Sequence, residues 1–114
     1  MARRGILVIG RGEIWTVAGA GYASKPRPAL IVQDDRYRLE SLTVLLLTST
    51  LLDAPLFRVR VPADEQTGLA RDSDVMVDKI MTVRRDNVRE QVGEVTSATM
   101  IAVERRLMAF LGVA

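Results

Sequence analysis

The chain has 114 residues, 48% of them hydrophobic and 26% charged, enough for one core and too few for two. It has no cysteine and no histidine, which excludes a disulfide framework, a thiolate zinc site, and histidine as metal ligand or general base. Net charge is only +2, but the residues before Pro62 hold nine basic and five acidic side chains and the remainder seven and nine; a basic face for a polyanion and an evenly salt-bridged surface both fit that asymmetry.

No repeat, low-complexity tract or linker interrupts residues 1–114, so a single domain is expected. The opening "MARRGILVIGRGE" starts basic, but its apolar segment is too short for a secretory signal. No apolar run approaches the roughly 20 residues that span a bilayer, and the expected location is the cytoplasm. "GRGE" at Gly10 to Glu13 has neither the spacing nor the Lys-Ser/Thr of a phosphate loop. "EIWTVA", from Glu13 to Ala18, reads as the first strand, with Trp15 in the core or at a dimer interface. "GAGYASK", Gly19 to Lys25, has two glycines and no periodicity and reads as a mobile loop.

The loop runs into "KPRPALIVQDD". Pro26 and Pro28 restrain Arg27 from both sides, and the apolar run after them reads as a strand from Pro28 to Gln33, with Asp34 and Asp35 in a solvated turn. "LTVLLLT", Leu42 to Thr48, reads as a buried strand whose end presents Thr48, Ser49 and Thr50. In "FRVRV" the alternation puts Phe57, Val59 and Val61 on one face and Arg58 and Arg60 on a wet, basic one. "VMVDKIMTV", Val75 to Val83, is a further strand interrupted by Asp78 and Lys79, residues that either meet structural counter-charges or serve a site. A helical turn is expected around Asp86 to Glu90. A C-terminal helix follows, capped by Thr96, carrying Met100, Val103, Leu107, Phe110 and Leu111 at helical spacing, and stopped by Gly112. The fold expected is mainly β (α+β), a partly open SH3-like barrel closed by one helix.

In their order, "RGEIW", "RPALIVQDD", "LTST", "RDSDVMVDKIMTV" and "VGEVTSATMIAVERRL" resemble the successive blocks of the MazF/PemK (Kid) toxins of bacterial toxin–antitoxin pairs, from Arg11 to about Gly112. The resemblance implies the barrel of the MazF/CcdB type, a homodimer, cleavage of single-stranded RNA at a short motif without metal or other cofactor, and neutralisation by a MazE-like antitoxin whose extended tail covers the cleft. It implies Arg27, Thr48 and Asp78 as catalytic residues, with RNA contacts from Ser24, Lys25, Ser49, Arg58, Arg60 and Lys79. Many members carry an acid in the loop before the arginine, and "GAGYASK" has none. The alternative within the same fold is a CcdB-like toxin that binds DNA gyrase and cuts nothing.

The chemistry suits these residue types. RNA supplies its own nucleophile, the 2′-OH, so an enzyme has to align it, accept its proton, offset charge on the phosphate and protonate the leaving 5′-oxygen. A guanidinium is a permanent, forked cation matched to phosphate, and prolines on both sides pre-organise it. It is too weak an acid to serve as a base, which leaves proton acceptance to Asp78 and hydrogen bonding of the phosphate to Thr48 and Ser49.

Overall fold

In the computed structural model, residues 8–18 and 25–113 are described. They form strands β1 (Glu13–Val17), β2 (Arg27–Ile31), β3 (Ser41–Thr48), β4 (Arg58–Val61) and β5 (Ser73–Arg84), a 3-10 turn at Arg85–Asn87, strand β6 (Val88–Glu94) and helix α1 (Ser97–Leu111). All strand pairings are antiparallel, in the order β4-β5-β3-β2-β1-β6, and the outer strands β4 and β6 do not pair with each other. This is the mainly β, partly open architecture expected, with one C-terminal helix.

Successive residues of a strand face opposite sides of the sheet, and both sides here are apolar. Ile14, Leu30, Leu45 and Leu47 share one layer with Val59, Val61, Val75 and Val77, and α1 covers it through Met100, Val103 and Leu107. Trp15, Val17, Ala29, Ile31, Val44 and Leu46 face the other layer, closed by Val83 and Val88. Trp15 is therefore a core residue, its Nε1 donating to Glu13 Oε1 at 2.9 Å, and it has no surface to offer a dimer interface.

The helix ends where its sequence says it should. Thr96 Oγ1 accepts from the Thr99 N–H at 3.1 Å, and Gly112 takes the left-handed conformation, φ 75°, that other residues adopt only at a cost. Among the described residues no helix is long and apolar enough to cross a membrane.

The helical turn expected around Asp86 to Glu90 is corrected: the turn is three residues of 3-10 helix, and from Val88 the chain is a strand. Its partner is β1, with Val88 opposite Val17 and Gly93 opposite Ile14, a pairing between segments more than 70 residues apart. Arg89, Glu90 and Gln91 are exposed because β6 is an edge, and charged side chains there discourage pairing with another sheet. The strand from Val75 to Val83 extends to Ser73 and Arg84 and is bent. Between the pairs Leu47↔Val75 and Leu45↔Ile80, four β5 residues, Met76 to Lys79, face a single β3 residue, Leu46.

Candidate functional site

Register carries the site across the sheet. Arg27 of β2 pairs with Val17 of β1, and the Ala29↔Leu46 register, continued two residues, brings Thr48 of β3 opposite Arg27. Thr48 in turn pairs with Asp74 of β5, and Asp74 with Arg60 of β4. Directly opposed residues of an antiparallel pair share a face, so Arg27, Thr48, Asp74 and Arg60 form one row from β2 to β4. Arg58, two residues before Arg60, projects from the same face, while Val59 and Val61 are buried on the other. The basic face read from "FRVRV" is present but wet only at Arg60, the Arg58 side chain being 17% exposed, and Phe57, expected beside Val59 and Val61, precedes β4 and is exposed.

Arg27, Thr48 and Ser49 line one open cleft of about 280 Å³, walled on its far side by Leu69, Arg71 and Ser73. Arg27 and Ser49 are exposed and Thr48 is half-buried. The Thr50 N–H donates to Thr48 Oγ1 at 3.1 Å, which uses an acceptor position of that hydroxyl and leaves its proton to donate into the cleft. Arg71 was not singled out in the sequence. It precedes a strand among polar residues, and only the fold shows that the segment before β5 crosses beside the end of β3.

Asp74 lies beneath this cleft, 1% exposed. Its Oδ1 accepts from Arg60 Nε at 2.6 Å; its Oδ2 accepts from the Leu52 N–H at 2.9 Å and from Arg58 Nη1 at 3.4 Å. Burial pushes its pKa up, but the Arg60 and Leu52 hydrogen bonds and the charges of Arg60 and Arg58 outweigh burial and hold the carboxyl below the usual carboxylate range. Arg58 and Arg60 thus bring charge to this face with part of it already met.

The remaining candidates divide. Lys25 is exposed just before β2, and Ser24 lies outside the described residues, as does the loop reading for Gly19 to Ser24. Asp78 does not line the Arg27 cleft. It sits in the bent part of β5, half-buried, with Oδ1 enclosed and without a hydrogen-bond donor, and Lys79 beside it is exposed. Asp34 and Asp35 make the expected turn: Asp34 accepts from Arg36, and Asp35 Oδ1 accepts from the Arg11 N–H at 2.8 Å. A second depression, about 130 Å³, lies among Gln33, Tyr37, Arg38 and Arg85 and holds none of the candidate residues; Asp34 and Asp35 offset its cations. No group of three or more Asp or Glu side chains that could hold a metal ion occurs among the described residues.

The family model of "PemK-like, MazF-like toxin of type II toxin-antitoxin system" matches residues 10–111. A probable endoribonuclease MazF of Mycolicibacterium smegmatis is 43% identical over 106 residues, covering 91% of this chain and 97% of the relative. A solved mycobacterial endoribonuclease in complex with its cognate antitoxin superposes with a TM-score of 0.75 at 28% identity, over 93% of this chain and 97% of that one. The MazE–MazF complex of Deinococcus radiodurans superposes with a TM-score of 0.79 at 22% identity over 96% and 100%, a likeness of fold.

Proposed function

Since the chain belongs to the PemK-like, MazF-like toxins of type II toxin–antitoxin systems, we propose that it is an endoribonuclease that cuts single-stranded RNA at a short motif and is neutralised by a cognate MazE-like antitoxin. The observation that carries this reading is the meeting of Arg27 and Thr48, more than 20 residues apart in sequence, on one face of one cleft. In this reading residues 1–114 are one toxin domain acting in the cytoplasm.

The 2′-oxygen attacks the adjacent phosphorus, the bond to the 5′-oxygen breaks, and the products are a 2′,3′-cyclic phosphate, or the 3′-phosphate from its hydrolysis, and a 5′-OH. Arg27 neutralises the charge that builds on the non-bridging oxygens and stands near the leaving oxygen for proton delivery. Thr48 and Ser49 donate hydrogen bonds to the same phosphate. Asp78, the proton acceptor expected from the sequence, lies outside this cleft with its Oδ1 enclosed, so it is not placed to take the 2′-OH proton, which passes to solvent. Arg71 and Lys25 extend the positive rim along which the RNA backbone runs, with Arg58, Arg60 and Lys79 farther out. None of these steps calls for a cofactor, and a gyrase binder would have no use for the Arg27 and Thr48 pair.

The same basic face serves control. An acidic, disordered antitoxin tail folding across Arg27 and Arg58 or Arg60 would compete with RNA for the same cations, so its binding is salt-sensitive and excludes RNA. The homodimer draws on exposed apolar side chains, among them Leu56, Phe57, Ile101 and Phe110, in place of the buried Trp15. Long single-stranded RNA incubated with the protein in EDTA, with 5′ ends mapped, tests the proposal: discrete cuts leaving 5′-OH ends support it, and intact RNA or ends requiring magnesium overturn it.

A further inference from the structure

Of the described carboxylates, Asp74 alone is fully buried, and its three contacts share a geometry the proposed mechanism does not use. The Leu52 N–H reaches it from the far end of the turn that leaves β3, the turn that carries Ser49 and Thr50. Arg58 Nη1 bonds both to Asp74 Oδ2 and to the Thr50 carbonyl, each at 3.4 Å, and so ties the middle of that turn to the same carboxylate. Thr48 itself stands directly opposite Asp74 in the β3–β5 register. The turn is therefore fastened from below at both its middle and its end.

The fastening also draws two guanidinium groups inward. Arg60 spends its Nε on Asp74, and Arg58, its side chain 17% exposed, keeps Nε enclosed with no partner, which marks a fork oriented by the carboxylate and not by a full set of acceptors. One negative charge thus holds two cations that lie on the row beside Arg27 and Thr48.

We propose that Asp74 is a positioning residue for RNA cleavage: it fixes the Ser49 to Leu52 turn so that Thr48 and Ser49 meet the scissile phosphate, and in doing so offsets part of the charge that Arg58 and the half-exposed Arg60 offer the RNA backbone. This rests on the ribonuclease reading above. Geometry and affinity then pull in opposite directions at one side chain, which separates the proposal from a purely structural role.

Asp74→Asn keeps size and an acceptor oxygen but removes the charge. An RNA carrying a 2′-deoxy nucleotide at the cut site, which binds without being cleaved, should bind the variant more tightly, with the slope of log affinity against log salt steeper by up to about 1.4 for two added phosphate contacts on a single strand. The single-turnover rate at saturating RNA should fall by about tenfold or more, because displacing a positioned group by 1 Å can cost up to about a hundredfold. Asp74→Glu, which restores the charge one methylene too far, should return affinity and salt slope toward the wild type while the rate stays low. Lower stability with unchanged affinity and unchanged rate per folded molecule would overturn the proposal. Where neither variant folds, hydrogen exchange in the wild-type protein decides: the Leu52 amide and the Arg60 Nε–H should be protected, and exchange of both at the rates of exposed groups would overturn the clamp. That arm reads the clamp even if the wild-type protein cuts no RNA, so failure of the ribonuclease reading and failure of this one are told apart.

Discussion

Gly93 sits where β6 crosses the turn after β4, and Gly93→Ala should damage both stability and the cleft. A Cβ at this position would lie 2.3 Å from the Thr67 carbonyl oxygen and 2.4 Å from that of Gln66, against an ordinary contact of at least 3.4 Å. The obstruction is backbone, and that backbone is braced: Thr67 N donates to Asp64 Oδ1 at 2.8 Å, Thr67 Oγ1 to the Pro62 carbonyl at 2.8 Å, and Gly68 N to the Asp64 carbonyl at 2.9 Å. Relief requires a movement of about 1 Å, for which overpacking costs about 1–3 kcal/mol. Losing the Glu94 N–H to Gln66 carbonyl bond, 3.0 Å long, adds about 1 kcal/mol. At about 4 °C per kcal/mol for a chain of this size, the melting temperature should drop by about 8–16 °C. The braced turn leads directly into Leu69, Arg71 and Ser73, one wall of the cleft, so cleavage at 25 °C by the folded fraction should fall as well. Thermal unfolding followed by circular dichroism reads the first effect and a fluorogenic RNA the second. A melting temperature within 2 °C of the wild type would refute the steric argument.

Arg27→Ala should slow cleavage by about 10² to 10³ while stability changes by no more than about 0.5 kcal/mol, since Arg27 is exposed; activity within twofold of the wild type in a folded variant would remove it from the site. Asp78→Asn should leave the single-turnover rate within about twofold of the wild type, since Asp78 lies outside the Arg27 cleft, and a fall of about tenfold with unchanged affinity for a 2′-deoxy-substituted RNA would bring Asp78 into the site. Stability should be flat from neutral pH to about pH 5 and fall below it, because a carboxyl whose folded pKa lies beneath its unfolded value stabilises fully above the latter and loses that contribution as pH falls toward the former. In Asp74→Asn the acid limb should be shallower; an identical limb would show that other carboxylates set it.

The strands β1 to β4 and the helix could be read locally, because each is a short apolar run bounded by glycine, proline or polar residues, or a periodic segment with Thr96 and Gly112 at its ends. β6 could not, since "VREQVGE" is polar where an edge strand faces water and its reason for being a strand is a distant partner, β1. Arg27 and Thr48 became a pair only through the resemblance to a family; nothing near either residue announces the other. Asp74 and Asp78 show the limit most clearly. In "SDVMVDK" the two acids occupy similar local settings, and what separates them is register: one lies opposite Thr48 and Arg60 between β3 and β4, the other in the bulge between the two stretches of β5 that pair with β3. Register is fixed by the whole sheet, which no window of the sequence contains.

The central claim is that the RNA's own 2′-OH is the nucleophile and that the cleft of Arg27 and Thr48 serves it. Two oligonucleotides of one cleavable sequence, identical except for a single 2′-deoxy nucleotide on the 5′ side of the mapped cut, test this in EDTA. The all-RNA strand should be cut to a 2′,3′-cyclic phosphate and a 5′-OH while the substituted strand stays intact yet competes for binding. Cleavage of the substituted strand at a comparable rate, or products bearing a 5′-phosphate, would contradict the account.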